Sequence, residues 1–208
     1  MNEVRLKECL SDPLYPGYLS RALTCQFLSH LDILENASQE AQEAQSPLSI
    51  PIPDLAHTFQ SGKHVALKNI HLERDALFGI KYPPMDDPDF RFFAVEYDRS
   101  TEDIEPSGNL ARASWLRKVL SYSAISAHQN PIYQTYLKVP ELFVLCIFSD
   151  SLRMENVREL VIRHAVHPNQ FLFKAVPPID PLICTGPMPR LFTEQWRGVQ
   201  GPVTIDRC

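Results

Sequence analysis

Glu96 and Asp98 close an otherwise apolar run, Phe90-Arg91-Phe92-Phe93-Ala94-Val95-Glu96-Tyr97-Asp98. In an extended chain alternate side chains share a face, so the two carboxylates project together, beside the small Ala94. Acids at the end of a buried strand are costly unless ionic partners compensate them, and a divalent cation is one solution. Asp75, in the strand-like HLERDALFGI, offers a third carboxylate from a neighbouring strand. Asp75, Glu96 and Asp98 are therefore the candidate metal ligands. Mg²⁺ or Mn²⁺ accepts hard oxygen ligands of this kind, keeps several waters and lets phosphate oxygens complete its shell. Phosphodiester hydrolysis is the chemistry such a site serves. Ser114, Lys118 and Tyr122 stand four apart and share a helix face, which lets Lys118 reach the carboxylates, orient water or offset charge on a phosphate. Glu35 is a further candidate ligand.

Each of these residues has a plainer reading. Glu96 and Asp98 can mark where a strand meets solvent, with Arg99 or Arg91 as partner. Asp75 beside Arg74 reads equally as a surface pair, and Lys118 beside Arg117 as a solvated helix face. His164 and His167 have loose HxxH spacing but no accompanying ligands, which suits a helix terminus better than zinc. His64 and His71 flank the strands near Asp75, where one can approach phosphate or serve as a structural histidine. The SxxK spacing of Ser114 and Lys118 lacks the partner motifs of a serine nucleophile.

Positioning these groups calls for an α/β layered domain. Leu19, Leu23, Phe27 and Leu31 recur at helical spacing and predict an amphipathic helix from Tyr18 to about Ala37. The polar tract after it and the prolines of SPLSIPIPD predict a helix end and a loop. Leu55 to Phe59, His64 to Leu67 and Ile70 to Ile80 read as strands, and Phe90 to Asp98 as a central strand covered on both faces. A helix follows in LARASWLRKVLSYSAISA, with Ala113, Leu116, Leu120 and Ala124 on one stripe and Trp115 and Val119 beside it. Glu141 to Phe148 predicts a buried strand, Leu152 to His164 a helix, and Gln170 to Val176 a last strand. The expected organisation is a single domain over 1–208, with its core at about 18–176 and a proline-rich C-terminal extension over 177–208 wrapping the surface.

Composition narrows the function. The 208 residues carry 20 Lys+Arg against 25 Asp+Glu, a formal charge of -5, so the field is not that of a protein coating nucleic acid. Any DNA contact must be a local patch. Eighteen prolines against seven glycines argue against a glycine-rich phosphate loop. The five cysteines have no CxxC spacing and fit reduced thiols in a cytoplasmic setting. The start, MNEVRLKECLSDP, lacks the apolar run of a signal peptide, and no stretch approaches a membrane span.

RDALFGI, RFFAVEYDRSTE, SWLRKVLSY, LFVLCIFSDSLR and QFLFKA, in this order over about 65–176, resemble the C-terminal domain of the replication-relaxation family of plasmids and mobile elements. In that family an aspartate in an apolar strand precedes a strand ending Glu-x-Asp-Arg-x-Thr and a helix with lysine and tyrosine. The corresponding residues are Asp75, Glu96, Asp98, Arg99, Thr101, Lys118 and Tyr122. The layout is also similar to the PD-(D/E)xK nuclease superfamily, whose core runs helix, three strands, helix, strand; here a helix and a strand are added to that restriction-endonuclease-like core. The position of the motif lysine holds Asp98, which makes Lys118 the substitute, and Arg74 replaces the motif proline. Relatives usually begin with a winged helix, and nothing before Leu19 has the length of one.

The resemblance implies a DNA-acting protein with Mg²⁺-dependent cleavage or nicking, with Asp75, Glu96, Asp98 and Lys118 as catalytic residues and a replication or relaxation complex as partner. DNA affinity would come from Lys63, Lys68, Arg74, Lys81, Arg112, Arg117 and Lys118. The rival reading is an inactive nuclease-like scaffold that binds DNA or protein, favoured by Asp98 at the lysine position and by the acidic net charge.

Overall fold

The computed structural model describes residues 26–46, 48–82, 89–127, 129–176 and 194–205. Its frame is a seven-stranded mixed sheet with a two-stranded ribbon and helices beside it, an α/β arrangement. The sheet order is β1 (Gln26–Leu28), β4 (Ala76–Tyr82), β5 (Asp89–Asp98), β6 (Phe143–Phe148), β7 (Phe171–Ala175), β8 (Trp196–Arg197) and β9 (Pro202–Val203). The ribbon pairs β2 (Ser49–Thr58) with β3 (His64–Glu73).

β5 is central, as its near-continuous apolar sequence predicts, running antiparallel to β4 and parallel to β6. Parallel neighbours require crossovers. Helix α3 (Trp115–Ser126) lies in the β5 to β6 connection, followed by the short α4 (Ile132–Tyr136), and α5 (Ser151–His164) links β6 to β7. Alternation along the strands sorts two cores. Leu77, Phe92, Ala94, Val144, Cys146 and Phe148 meet the helices and the ribbon, whereas Phe78, Phe93, Val95, Leu145 and Ile147 pack with Trp196 and Ile205 on the other face.

Three expectations are corrected. Residues 18–25 of the expected first helix lie outside the described residues; from Gln26 the chain forms β1, then α1 (His30–Glu35) and α2 (Gln39–Gln42). A capping box starts α1 afresh: Ser29 Oγ accepts from the Asp32 N–H, and the Asp32 carboxylate accepts from the Ser29 N–H at 2.6 Å. Phe27 thus joins a strand, pairing with Ile80, although its spacing fits a helical stripe. Second, SPLSIPIPD is not all loop, because Ser49 to Asp54 form the first half of β2. Prolines cost little there, since a two-stranded ribbon leaves each strand an unpaired edge. Ile50, Ile52 and Leu55 are buried beneath it. Third, α3 buries Trp115, Leu116, Val119 and Tyr122, while Leu120 and Ala124 are only partly covered and Ala113 is exposed ahead of the helix.

The extension also differs in part. Residues 177–193 and 206–208 are outside the described set, yet Trp196, 1 % exposed, brings β8 onto the edge of β7. Among the described residues no helix is long and apolar enough to cross a membrane.

Candidate functional site

The site lies at the carboxyl end of β5, where a parallel strand hands over to its crossover helix, the usual position for ligands in open α/β sheets. Glu96 and Asp98 do share a face, but neither meets solvent: they are 1 % and 2 % exposed. Their partners are not Arg99 or Arg91. Arg91 pairs instead with Asp89 and Glu141, at the opposite end of β5.

Asp98 is tied off. Arg153, from α5, grips the carboxylate through its Nε and one terminal nitrogen, and the Trp115 indole N–H donates to Oδ1 at 3.1 Å. Arg153 also donates to the Glu102 carbonyl. Ser100, at φ 58°, turns its backbone N–H onto the same carboxylate. Burial alone would raise the Asp98 pKa, but the bonds from Arg153 and Trp115 outweigh it and hold the group below its ordinary value. Every oxygen of Asp98 is committed to protein donors, so its expected role as metal ligand and catalytic group is not supported by its surroundings.

Glu96 is arranged differently. The Tyr122 hydroxyl donates to Oε1 at 2.7 Å, and Lys118 Nζ lies 3.0 Å from Oε2. Lys118 is also 3.3 Å from Glu102 Oε2 and rests over the Trp115 ring at 5.2 Å. The helix face shared by Ser114, Lys118 and Tyr122 thus points at β5, as the four-residue spacing predicts. Ser114 is the N-cap of α3, its hydroxyl accepting from the Arg117 N–H, which accounts for the SxxK spacing without a nucleophile. Burial drives the Glu96 pKa up despite Lys118. It would lower that of Lys118, but Glu96 and then Glu102 outweigh burial and raise it.

Asp75 precedes β4 in a bend, and its backbone N–H still bonds the Val95 carbonyl at 3.0 Å. It stands just outside the Ala76–Val95 pair, near enough for its charge to act on Glu96. Its carboxylate accepts the Tyr97 N–H at 2.7 Å and is exposed. Like charges this near disfavour each other, and Lys118 offsets that of Glu96.

Asp75, Glu96 and Lys118 open onto one cleft of about 360 Å³, whose walls also carry His71, Glu73, Arg74, Glu102, Ser114 and Arg117. Three cations, Arg74, Arg117 and Lys118, face four carboxylates, leaving one net negative charge with His71 neutral. Of the seven cations expected to serve DNA, only these three converge there. Lys81 sits at the far end of β4 against Phe90, and Arg112 pairs with Asp103.

Among the described residues no three His, Cys, Asp or Glu side chains group closely enough to hold a metal ion. Mg²⁺ asks less than that, one or two carboxylates with waters. Asp75 and Glu96 line the cleft together, whereas Asp98 is not among its lining residues. Glu35 lies at the end of α1, away from the cleft. His71 lines the cleft and bonds Ser49 through Nδ1, and His64 bonds Thr58. His164 ends α5 beside Glu105 and against the His57 ring.

Sequence reasoning missed Arg153, Trp115 and Glu102. The cost of burying Asp98 signalled that a cation was required, but nothing in spacing chose a residue 55 positions away. No family model matches the sequence, and no curated protein or solved structure is significantly similar to it.

Proposed function

We propose that the protein acts on DNA phosphodiesters at the cleft formed by Asp75, Glu96 and Lys118, in the manner of the replication-relaxation and PD-(D/E)xK proteins that its sequence resembles. The observation that carries this reading is that Asp75, Glu96 and Lys118 line one cleft at the carboxyl end of β5, with Lys118 bonded to Glu96. Asp75 and Glu96 would hold Mg²⁺, which when bound supplies charge neutralisation at phosphate and a more acidic water. Lys118, kept protonated by Glu96 and Glu102, presents a fixed ammonium that can offset charge developing on a phosphate oxygen. Tyr122 holds the Glu96 carboxylate in one orientation through Oε1. Asp98 is left out of the chemistry; with Arg153 it anchors the loop after β5 to α5.

The test is nicking of supercoiled plasmid DNA in Mg²⁺ by wild type, Asp75→Asn and Glu96→Gln. Loss of nicking in both variants, with unchanged circular dichroism, supports the assignment; undiminished nicking in either removes it.

A second reading has its own observation. Both buried carboxylates already have cationic partners, so the network is satisfied without any metal. A scaffold that binds DNA or protein without cutting would look like this, and wild type that nicks no DNA while still binding it would favour that reading.

A further inference from the structure

Arg74 occupies the junction between β3 and β4 on the wall of the cleft and is 4 % exposed. Its Nε donates to the Leu48 carbonyl at 2.8 Å, and its backbone N–H bonds the same oxygen at 3.2 Å. Both terminal nitrogens are buried and have no hydrogen-bond partner among the described residues. Tyr122, Glu96, Glu73 and Tyr136 lie near enough to act on its charge, yet none accepts a bond from it. Burial is the dominant influence and lowers its pKa.

A buried guanidinium with idle donors is expensive, because each unmet N–H forfeits its hydration. The sequence places this residue where an exposed Arg–Asp surface pair would be expected, but Asp75 turns to the Tyr97 N–H instead. The rest of the cleft complements the idle fork. Helix α3 begins there, with Ser114 capping it, so its positive end faces the same space. Lys118 and Arg117 extend from its first turn. A planar fork of donors matches two oxygens of one phosphate or carboxylate group.

We propose that Arg74 is the seat of a bound phosphate group, its terminal nitrogens donating to two phosphate oxygens while Nε stays on Leu48 and the start of α3 faces the anion. The carrier of that phosphate depends on the function proposed above; the seat itself does not. Free phosphate and a nucleic-acid phosphodiester share the chemistry, and two probes separate them.

The first probe is inorganic phosphate, titrated calorimetrically into the full chain with Mg²⁺ present because the cleft is net negative. Wild type is expected to bind, and Arg74→Lys, which keeps the charge but loses the fork, to bind at least tenfold more weakly. Arg74→Met should not bind at all, and Lys81→Ala, at the far end of β4, should match wild type. The second probe is a short single-stranded oligonucleotide followed by fluorescence anisotropy. Equal phosphate affinity in wild type and Arg74→Lys overturns the seat, as does no phosphate binding by wild type. Arg74→Lys decides the question if Arg74→Met fails to fold. Arg74-dependent phosphate binding without oligonucleotide binding keeps the seat and removes the DNA reading. Oligonucleotide binding that is indifferent to Arg74, beside phosphate binding that needs it, keeps the seat and shows that DNA does not use it.

Discussion

Glu96 and Asp98 are two residues apart on one strand, face the same way and are almost equally buried, yet their surroundings give them different work. Asp98 is enclosed by Arg153, Trp115 and the Ser100 backbone, a set that leaves no lone pair for a ligand. Glu96 has one partner on each oxygen, and it lines an open cleft together with Lys118 and Asp75. A carboxylate on a buried strand is thus no signature of chemistry by itself. What separates fastening from a ligand site here is whether the carboxylate lines the open cleft, as Glu96 does and Asp98 does not.

The largest expected effect tests the fastening side. Asp98→Ala leaves the Arg153 guanidinium with only the Glu102 carbonyl and the Trp115 N–H without an acceptor, and breaking such a pair costs about 3 kcal/mol. Urea denaturation measures it; a loss under about 1 kcal/mol would break the comparison.

Titration sharpens the contrast, because the two groups carry opposite signs. Arg153 and Trp115 hold the folded Asp98 pKa below its ordinary 3.8, so its contribution to stability is present above that value and is lost as pH falls through the lowered one. Burial holds Glu96 above its ordinary 4.5, so stability associated with its proton is present below 4.5 and is lost as pH rises through the raised value. Relative to wild type, Asp98→Asn should lose ground as pH rises towards about 4 and then level off. Glu96→Gln should gain ground as pH rises above 4.5. Thermal melts of the three proteins across acidic to neutral pH read both trends, and the same sign in both variants would contradict the assignment.

Smaller effects belong to the cleft side. Tyr122→Phe removes one buried hydrogen bond and leaves Glu96 with Lys118, a loss of about 1 kcal/mol by urea denaturation. Glu96→Gln should stay within a similar margin at neutral pH, since Lys118 keeps Glu102.

Much of this was legible in the sequence. β5, β6, β7 and α5 are near-continuous apolar or periodic segments whose local signal agrees with their burial, and the shared face of Lys118 and Tyr122 followed from helix geometry. The first half of β2 was not legible, because Pro51 and Pro53 signal a loop unless the strand lies in a ribbon with a free edge. Nor was the break at Ser29, where a capping box overrides a four-residue apolar spacing. In the site, the pairing of Glu96 with Asp98 was visible but their division of labour was not, since it depends on Arg153 arriving from a distant helix. Arg74 read as a surface residue because its burial is created by Leu48 and the ribbon rather than by its own neighbours.

The most direct test of the difference between the two carboxylates is calorimetric titration of Mn²⁺ into wild type, Glu96→Gln and Asp98→Asn, each checked for folding by circular dichroism. The account predicts binding by wild type and by Asp98→Asn, and at least a tenfold loss in Glu96→Gln. Binding lost in Asp98→Asn and kept in Glu96→Gln, or absent from wild type, would contradict it.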